Sequence, residues 1–150
     1  MALDLLDSQT VQVVDGKDLD WRMAIKKAAD PLVQKKLVGN DYVDKMIQVV
    51  DEQGPYINIG PNIALAHARP CPSVKKVSLS LMKTNQPINL VNDQHPVKLW
   101  FVLAAVDSTS HLSVIQELSA LLMNAENTQK LLEAESVEEI LDVLGHSKEV

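Results

Sequence analysis

Two histidines in matching contexts hold the chemistry this chain can offer. His67 stands at the centre of Gly60-Pro-Asn-Ile-Ala-Leu-Ala-His-Ala-Arg-Pro-Cys-Pro72. There the apolar run Ile63, Ala64, Leu65, Ala66 delivers an imidazole and then Arg69, and the chain must turn at Pro70-Cys71-Pro72. His111 ends Asp107-Ser-Thr-Ser-His, a run of helix-capping residues directly after a second apolar stretch. A histidine beside an apolar strand is more often a satisfied structural residue than a reactive one, unless burial or a neighbour tunes it. If the strands leading to His67 and His111 are adjacent, each imidazole is that neighbour for the other. Two adjacent imidazoles repel as cations, so at least one stays neutral near pH 7 and keeps a free nitrogen as nucleophile. A helix starting near Asp107 adds unpaired backbone N–H groups that suit a phosphoryl anion, although the Asp107 carboxylate competes for that position unless it caps.

Other chemistries fit the residues less well. Cys71, the only cysteine, follows His67 by four residues, yet the proline-rich turn between them does not set the pair on one helix face. Zinc held by His67, His111 and Cys71 remains open on composition alone. A Ser-His-Asp arrangement can be drawn from Ser108, His67 and Asp107, but no Gly-x-Ser-x-Gly elbow supports it. No glycine-rich phosphate loop is present, so nucleotide hydrolysis lacks its cradle.

The elements that must position the two histidines can be read from periodicity. Val11, Val13 and Val14, closed by Asp15-Gly16, suggest an edge strand. From Asp18 the spacing is helical, with Asp18 or Asp20 as cap and Pro31 ending that helix or opening another that runs to Gly39. Asn40-Asp41 is expected to cap a further helix up to Gly54-Pro55. Residues 56–59 and 63–65 read as two strands joined by a tight turn at Gly60-Pro61-Asn62. Val77, Leu79 and Leu81 alternate with Ser78, Ser80 and Met82, the pattern of a half-buried strand. Residues 83–96 are polar and read as a loop with His95 exposed. Residues 97–106 form the best-marked strand, apolar throughout and therefore covered on both faces. Helices follow from Leu112, over 127–132, and over 136–144, the last with Ser136 and Glu139 as a capping box, Gly145 as its end and a frayed tail. Strands alternating with helices make an α/β fold, and open α/β sheets place ligands at their strand ends.

At 150 residues the chain suits one domain, residues 1–150, with a core that needs no disulfide. Apolar residues make up 46% and charged residues 23%, the balance of a globular protein without a membrane span. A net charge of −6 argues against non-specific nucleic-acid binding, which depends on a basic face. Residues 1–6 include Asp4 and lack a basic start, so a cytoplasmic protein is expected.

Leu65-Ala-His-Ala-Arg-Pro70, preceded by Gly60-Pro-Asn-Ile-Ala64 and followed some forty residues later by Asp107-Ser-Thr-Ser-His-Leu112, resembles the IIA component of the bacterial sugar phosphotransferase system. Within it the resemblance is to the mannitol/fructose-type superfamily, in its ascorbate-like branch. It extends from Tyr42-Val-Asp-Lys-Met46 through Gln116-Glu-Leu118. The resemblance implies a mixed central β-sheet flanked by helices on both faces, and a phosphocarrier that needs no cofactor or metal. His67 would take a phosphoryl group from the phosphorylated histidine carrier protein and pass it to a cysteine of a IIB component, which works with a membrane IIC component during sugar import. His111 matches the histidine that hydrogen-bonds and orients the first, and Arg69, Ser108 and Thr109 are the expected phosphate contacts. Two positions depart from the family's pattern: Ala66 stands where proline usually precedes the reactive histidine, and Val49 where many mannitol-type relatives carry arginine. Arg69 is expected to supply the missing cation, since a guanidinium pairs with phosphate oxygens bidentately. The same histidine would also serve a regulatory IIA-like module whose phosphorylation state controls a partner. The apolar helices suit a monomer or a homodimer alike.

Overall fold

Five strands form one sheet whose residues alternate between two separate cores. The computed structural model describes residues 5–69 and 71–149, apart from the side chains of Ser108, Ser110 and residues 146–149. In chain order the elements are β1 (Val11–Val14), α1 (Trp21–Gln34), α2 (Asn40–Gln53), β2 (Asn58–Gly60), β3 (Asn62–Ala66), β4 (Ser78–Asn89), β5 (Pro96–Ala104), α3 (Ser108–Met123), α4 (Ala125–Glu133) and α5 (Val137–Glu149). The sheet order is β1-β4-β5-β3-β2, with β1 parallel to β4, β5 parallel to β3, and the other two pairings antiparallel. The expected mixed α/β architecture is therefore present.

The apolar run of β5 explains the two layers. Trp100, Val102 and Ala104 point to the core shared with α1 and α2, and Leu99, Phe101 and Leu103 point to the core shared with α3, α4 and α5. Both faces are covered, as a continuous apolar run requires. β4 departs from expectation in the same way. Ser80 was expected on a solvent face, but α1 covers it and its hydroxyl donates to the Ala28 carbonyl at 2.7 Å. A hydroxyl met by a helix carbonyl reads in sequence as an exposed one.

Of the polar stretch 83–96, only residues 90–95 form a turn. β4 continues to Asn89, pairing Ile88 with Val97 and Asn89 with Pro96 after a register shift that accommodates Pro87. Ladder hydrogen bonds use backbone groups, so polar side chains do not forbid them. Buried Lys83 and Thr84 meet their needs locally, donating to Asn85 Oδ1 at 2.9 Å and the Gln86 carbonyl at 2.7 Å. His95 is half-buried rather than exposed: its Nδ1 lies 2.9 Å from Asn58 Oδ1, which ties the β4–β5 turn to β2.

Helix ends also correct the reading. Asp20 caps α1 by accepting from the Met23 N–H, and Pro31 lies inside the helix without breaking it. Pro31 cannot donate to the Lys27 carbonyl, and the Gln12 side-chain amide does so instead at 2.7 Å. α1 stops at Gln34 because Lys36 turns left-handed (φ 61°), with Lys36 N–H bonded to Val33 and Leu37 N–H to Leu32. Gly39, not Asn40 or Asp41, caps α2, and a Cβ there would meet Ser73 Cβ at 2.9 Å. The loop after His67 thus packs against the start of α2. At α5 the Ser136 hydroxyl accepts from Glu139 N–H as expected, but Gly145 is an ordinary helical residue and the helix continues to Glu149.

Val91 has φ 70° at the centre of a tight turn in which Asn92 N–H bonds the Leu90 carbonyl at 2.8 Å. A β-branched residue is costly in that region and Val91 is 45% exposed, with little packing to lose. Val91→Gly is expected to raise unfolding free energy by about 0.5–1 kcal/mol in urea titration, the left-handed penalty less glycine's entropy. A loss of stability would show that the valine side chain holds the turn.

Candidate functional site

β3 and β5 are parallel neighbours with Ala66 opposite Val102, so the residues after their C-terminal ends emerge at one edge of the sheet. His67 follows β3 directly. His111 lies in the first turn of α3, where its N–H donates to the Asp107 carbonyl at 3.2 Å. The two rings face each other with centroids 5.2 Å apart and planes tilted by 58°. Both are half-buried, neither sealed nor free.

The ring of His67 is held from two sides. Its Nδ1 is 2.8 Å from the Leu65 carbonyl oxygen. A carbonyl can only accept, so in the neutral ring Nδ1 carries the proton and Nε2 keeps its lone pair. Tyr56 packs edge-on against the ring at 5.6 Å and donates its hydroxyl to the His67 carbonyl at 3.2 Å. Partial burial pushes the Tyr56 phenol up, so it remains a donor at neutral pH.

Behind the ring, fully buried Tyr42 of α2 joins the two strand ends. Its hydroxyl donates to the Leu103 carbonyl at 2.7 Å and accepts from the Ala68 N–H at 3.1 Å. Burial pushes this phenol up to about 12, offset in part by the Ala68 hydrogen bond. It therefore stays protonated and can serve both groups at once.

A cleft of about 440 Å³ opens over this arrangement. Lys45, Val49 and Gln53, each one turn apart on α2, make one wall; Tyr56, His67, Ala68 and Arg69 make another, and Asp107 and His111 close it. A larger apolar groove of about 560 Å³ lies between the start of β3 and α3–α4, but no titratable side chain lines it. Chemistry therefore selects the smaller cleft. Burial, and then the proximity of His67, hold His111 below the ordinary histidine value of 6.5. It is therefore neutral at neutral pH.

The expected residues divide accordingly. His67, His111 and Arg69 meet at the cleft, with Arg69 exposed at its rim. Thr109 is exposed in the first turn of α3 and is not among the cleft-lining residues, while the side chain of Ser108 lies outside the described residues. Cys71 is directed to the Ser73 hydroxyl at 3.2 Å, and among the described residues no group of three or more His, Cys, Asp or Glu is placed to hold a metal ion. Tyr42, Lys45 and Tyr56 carry no motif of their own. The available signals were the apolar spacing of Tyr42, Val43, Met46, Ile47 and Val50 and the start of the family resemblance at Tyr42-Val-Asp-Lys-Met46.

A family model described as phosphoenolpyruvate-dependent sugar phosphotransferase system, EIIA 2, matches residues 4–147. The mannitol-specific cryptic phosphotransferase enzyme IIA component of Escherichia coli K12 is 32% identical over 142 residues, covering 95% of this chain and 96% of its own. Its solution structure superposes with a TM-score of 0.87 at 30% identity, over 97% of this chain and 99% of the other. The ascorbate-specific EIIA component of the same organism is 32% identical over 129 residues, 85% of this chain and 84% of its own. Equal identities to mannitol and ascorbate components do not separate the two branches. Enzyme IIA for mannitol from E. coli, determined in complex with its phosphorylated enzyme IIB, shares the fold with a TM-score of 0.77 at 20% identity, over 93% of this chain and 96% of the other.

Three variants test the geometry. Tyr42→Phe strands the buried Ala68 N–H, so a loss of about 1–3 kcal/mol is expected, with faster hydrogen exchange at the Ala68 amide. Unchanged protection there would remove the clamp. In NMR titration His111 should show a midpoint below 6.5 that rises in His67→Gln, because burial disfavours its cation and a charged His67 adds to that. Since its folded value is depressed, the stability contributed by neutral His111 is present above 6.5 and lost as pH falls through the folded value. His111→Gln should flatten that part of the pH–stability profile.

Proposed function

The chain belongs to the EIIA 2 family of the phosphoenolpyruvate-dependent sugar phosphotransferase system, and from that membership we propose that it is a cytoplasmic phosphocarrier whose relay atom is His67 Nε2. The donor is the phosphorylated histidine carrier protein, and the acceptor is a cysteine of a IIB component working with a membrane IIC component. The cargo of the pathway is an ascorbate-like or related carbohydrate, and residues 1–150 act as one IIA unit. No helix of the described residues is long and apolar enough to cross a membrane. The observation that carries the reading is the 2.8 Å bond from Nδ1 to the Leu65 carbonyl, which leaves Nε2 as the nucleophilic atom of a ring that lines the cleft.

In the first step the Nε2 lone pair bonds to phosphorus as the P–N bond of the donor breaks and its electron pair returns to the donor imidazole. The His67 ring keeps its Nδ1 proton and takes on positive charge, which the Leu65 carbonyl stabilises. Because nitrogen and phosphorus share no stabilising resonance, the group remains transferable. In the second step the acceptor thiolate sulfur bonds to phosphorus, the N–P bond breaks, and its electron pair returns to Nε2. A loose, in-line transfer of this kind needs mainly positioning and charge stabilisation. Tyr56 and Leu65 hold the ring, and neutral His111 donates an N–H toward the phosphoryl oxygens without repelling a charged His67. Arg69, at the rim of the cleft, is a further contact for the same oxygens. The exposed apolar side chains Tyr56, Val106 and Leu112, which neighbour cleft residues in space or sequence, offer surface for protein partners.

Incubation with the phosphorylated histidine carrier protein should place an acid-labile phosphoryl group on His67. His67→Ala should abolish uptake, whereas His111→Ala should keep the wild-type Tm and slow transfer by roughly ten- to a hundredfold, the range for one strong hydrogen bond to charge. Label at wild-type level in His67→Ala would overturn the assignment.

A further inference from the structure

We infer that Lys45 is the phosphate-binding cation of the cleft, its ammonium contacting the phosphoryl oxygens once His67 carries them; this rests on the phosphocarrier reading above. A phosphoryl group brings about two negative charges into a space that already contains Asp107. His111 is neutral and supplies hydrogen bonding without charge. Beyond the charge on the phosphorylated His67 ring itself, full positive charge can come from the cleft's two cations, Lys45 and Arg69.

The two are not equivalent. Arg69 is exposed on the loop after His67, whereas Lys45 is half-buried on α2. That helix also carries Tyr42, three residues earlier, whose hydroxyl holds the amide of Ala68 next to His67. The same rigid element therefore sets both the position of the cation and the position of the loop that receives the phosphoryl group. Such placement before the reaction is what electrostatic stabilisation requires. Along the α2 wall Val49 is apolar and Gln53 neutral, so Lys45 is the only source of charge there. No ion pair engages Lys45 among the described residues, although Asp41 and Asp44 are close on the same helix. An ammonium is a compact charge with three rotatable donors on a flexible stem, able to follow the phosphoryl oxygens.

The test uses two donors on the full chain: the phosphorylated histidine carrier protein and phosphoramidate, a small P–N donor that needs no protein docking. Lys45→Gln should slow labelling of His67 roughly ten- to a hundredfold with both donors. Lys45→Arg should retain most of the rate, and Lys45→Glu should lose more than Lys45→Gln. Matching Tm and helical circular dichroism establish that the variants are folded. Wild-type labelling of Lys45→Gln by phosphoramidate, with a defect only toward the protein donor, would assign Lys45 to docking and overturn the proposal. Full rates with both donors would overturn it as well. His67→Gln separates the two readings: if it still accepts label as wild type does, the relay atom is wrong, whereas loss of label there with an unaffected Lys45→Gln removes only the lysine.

Discussion

A buried hydroxyl has one proton to give and lone pairs to fill, and at Tyr42 both needs are met by backbone groups from different strands. The proton goes to the Leu103 carbonyl near the end of β5, and the Ala68 N–H, just beyond β3, is accepted in return. Leaving either group unpaired in a dry interior is expensive, so the two strand ends are held at one relative position. The distance between the His67 and His111 rings depends on that position, since each follows one of the strands closely. Burial keeps the phenol protonated across the physiological range, and the clamp does not titrate away.

The site that rests on this clamp is governed by charge as much as by shape. In the phosphocarrier reading one imidazole is the nucleophile, and the Leu65 carbonyl decides which of its nitrogens is free by claiming the proton on the other. The second imidazole sits where burial, together with the first ring, disfavours its cation. A pair of half-buried histidines thus avoids mutual repulsion while one atom remains available to bond phosphorus. A phosphoryl anion formed there, as proposed, needs positive charge nearby. α2 brings Lys45 to the opposite wall from a helix already anchored to the core through Tyr42, Met46 and Val50.

Much of the architecture was legible because its signals are local. The apolar run of β5, the capping run before α3 and the alternation of helix and strand patterns implied a covered sheet with two histidines at its edge. The errors have a common physical origin. Residues 83–89 look like a loop because they are polar, but a strand is defined by backbone pairing, and Lys83 and Thr84, like Ser80 earlier in β4, hide their polar atoms in hydrogen bonds. Pro31 looks like a helix boundary because it lacks a donor, but Gln12 supplies one from β1. Asn40 and Asp41 look like caps because of their side chains, but the close approach of Ser73 demands the glycine before them.

Sequence alone determined that an imidazole is presented at the end of one strand, that a second opens the helix after another, and that an arginine stands two residues from the first. These facts follow from neighbours a few positions apart, which is the range over which periodicity and capping act. Tertiary structure alone decided that Tyr42 joins residues 26 and 61 positions away, which nitrogen of His67 is bare, and that Lys45 rather than Val49 brings positive charge to the α2 wall. A hydrogen bond between groups so distant in the chain leaves no repeat to detect, because it is the packing of whole elements that brings the partners together.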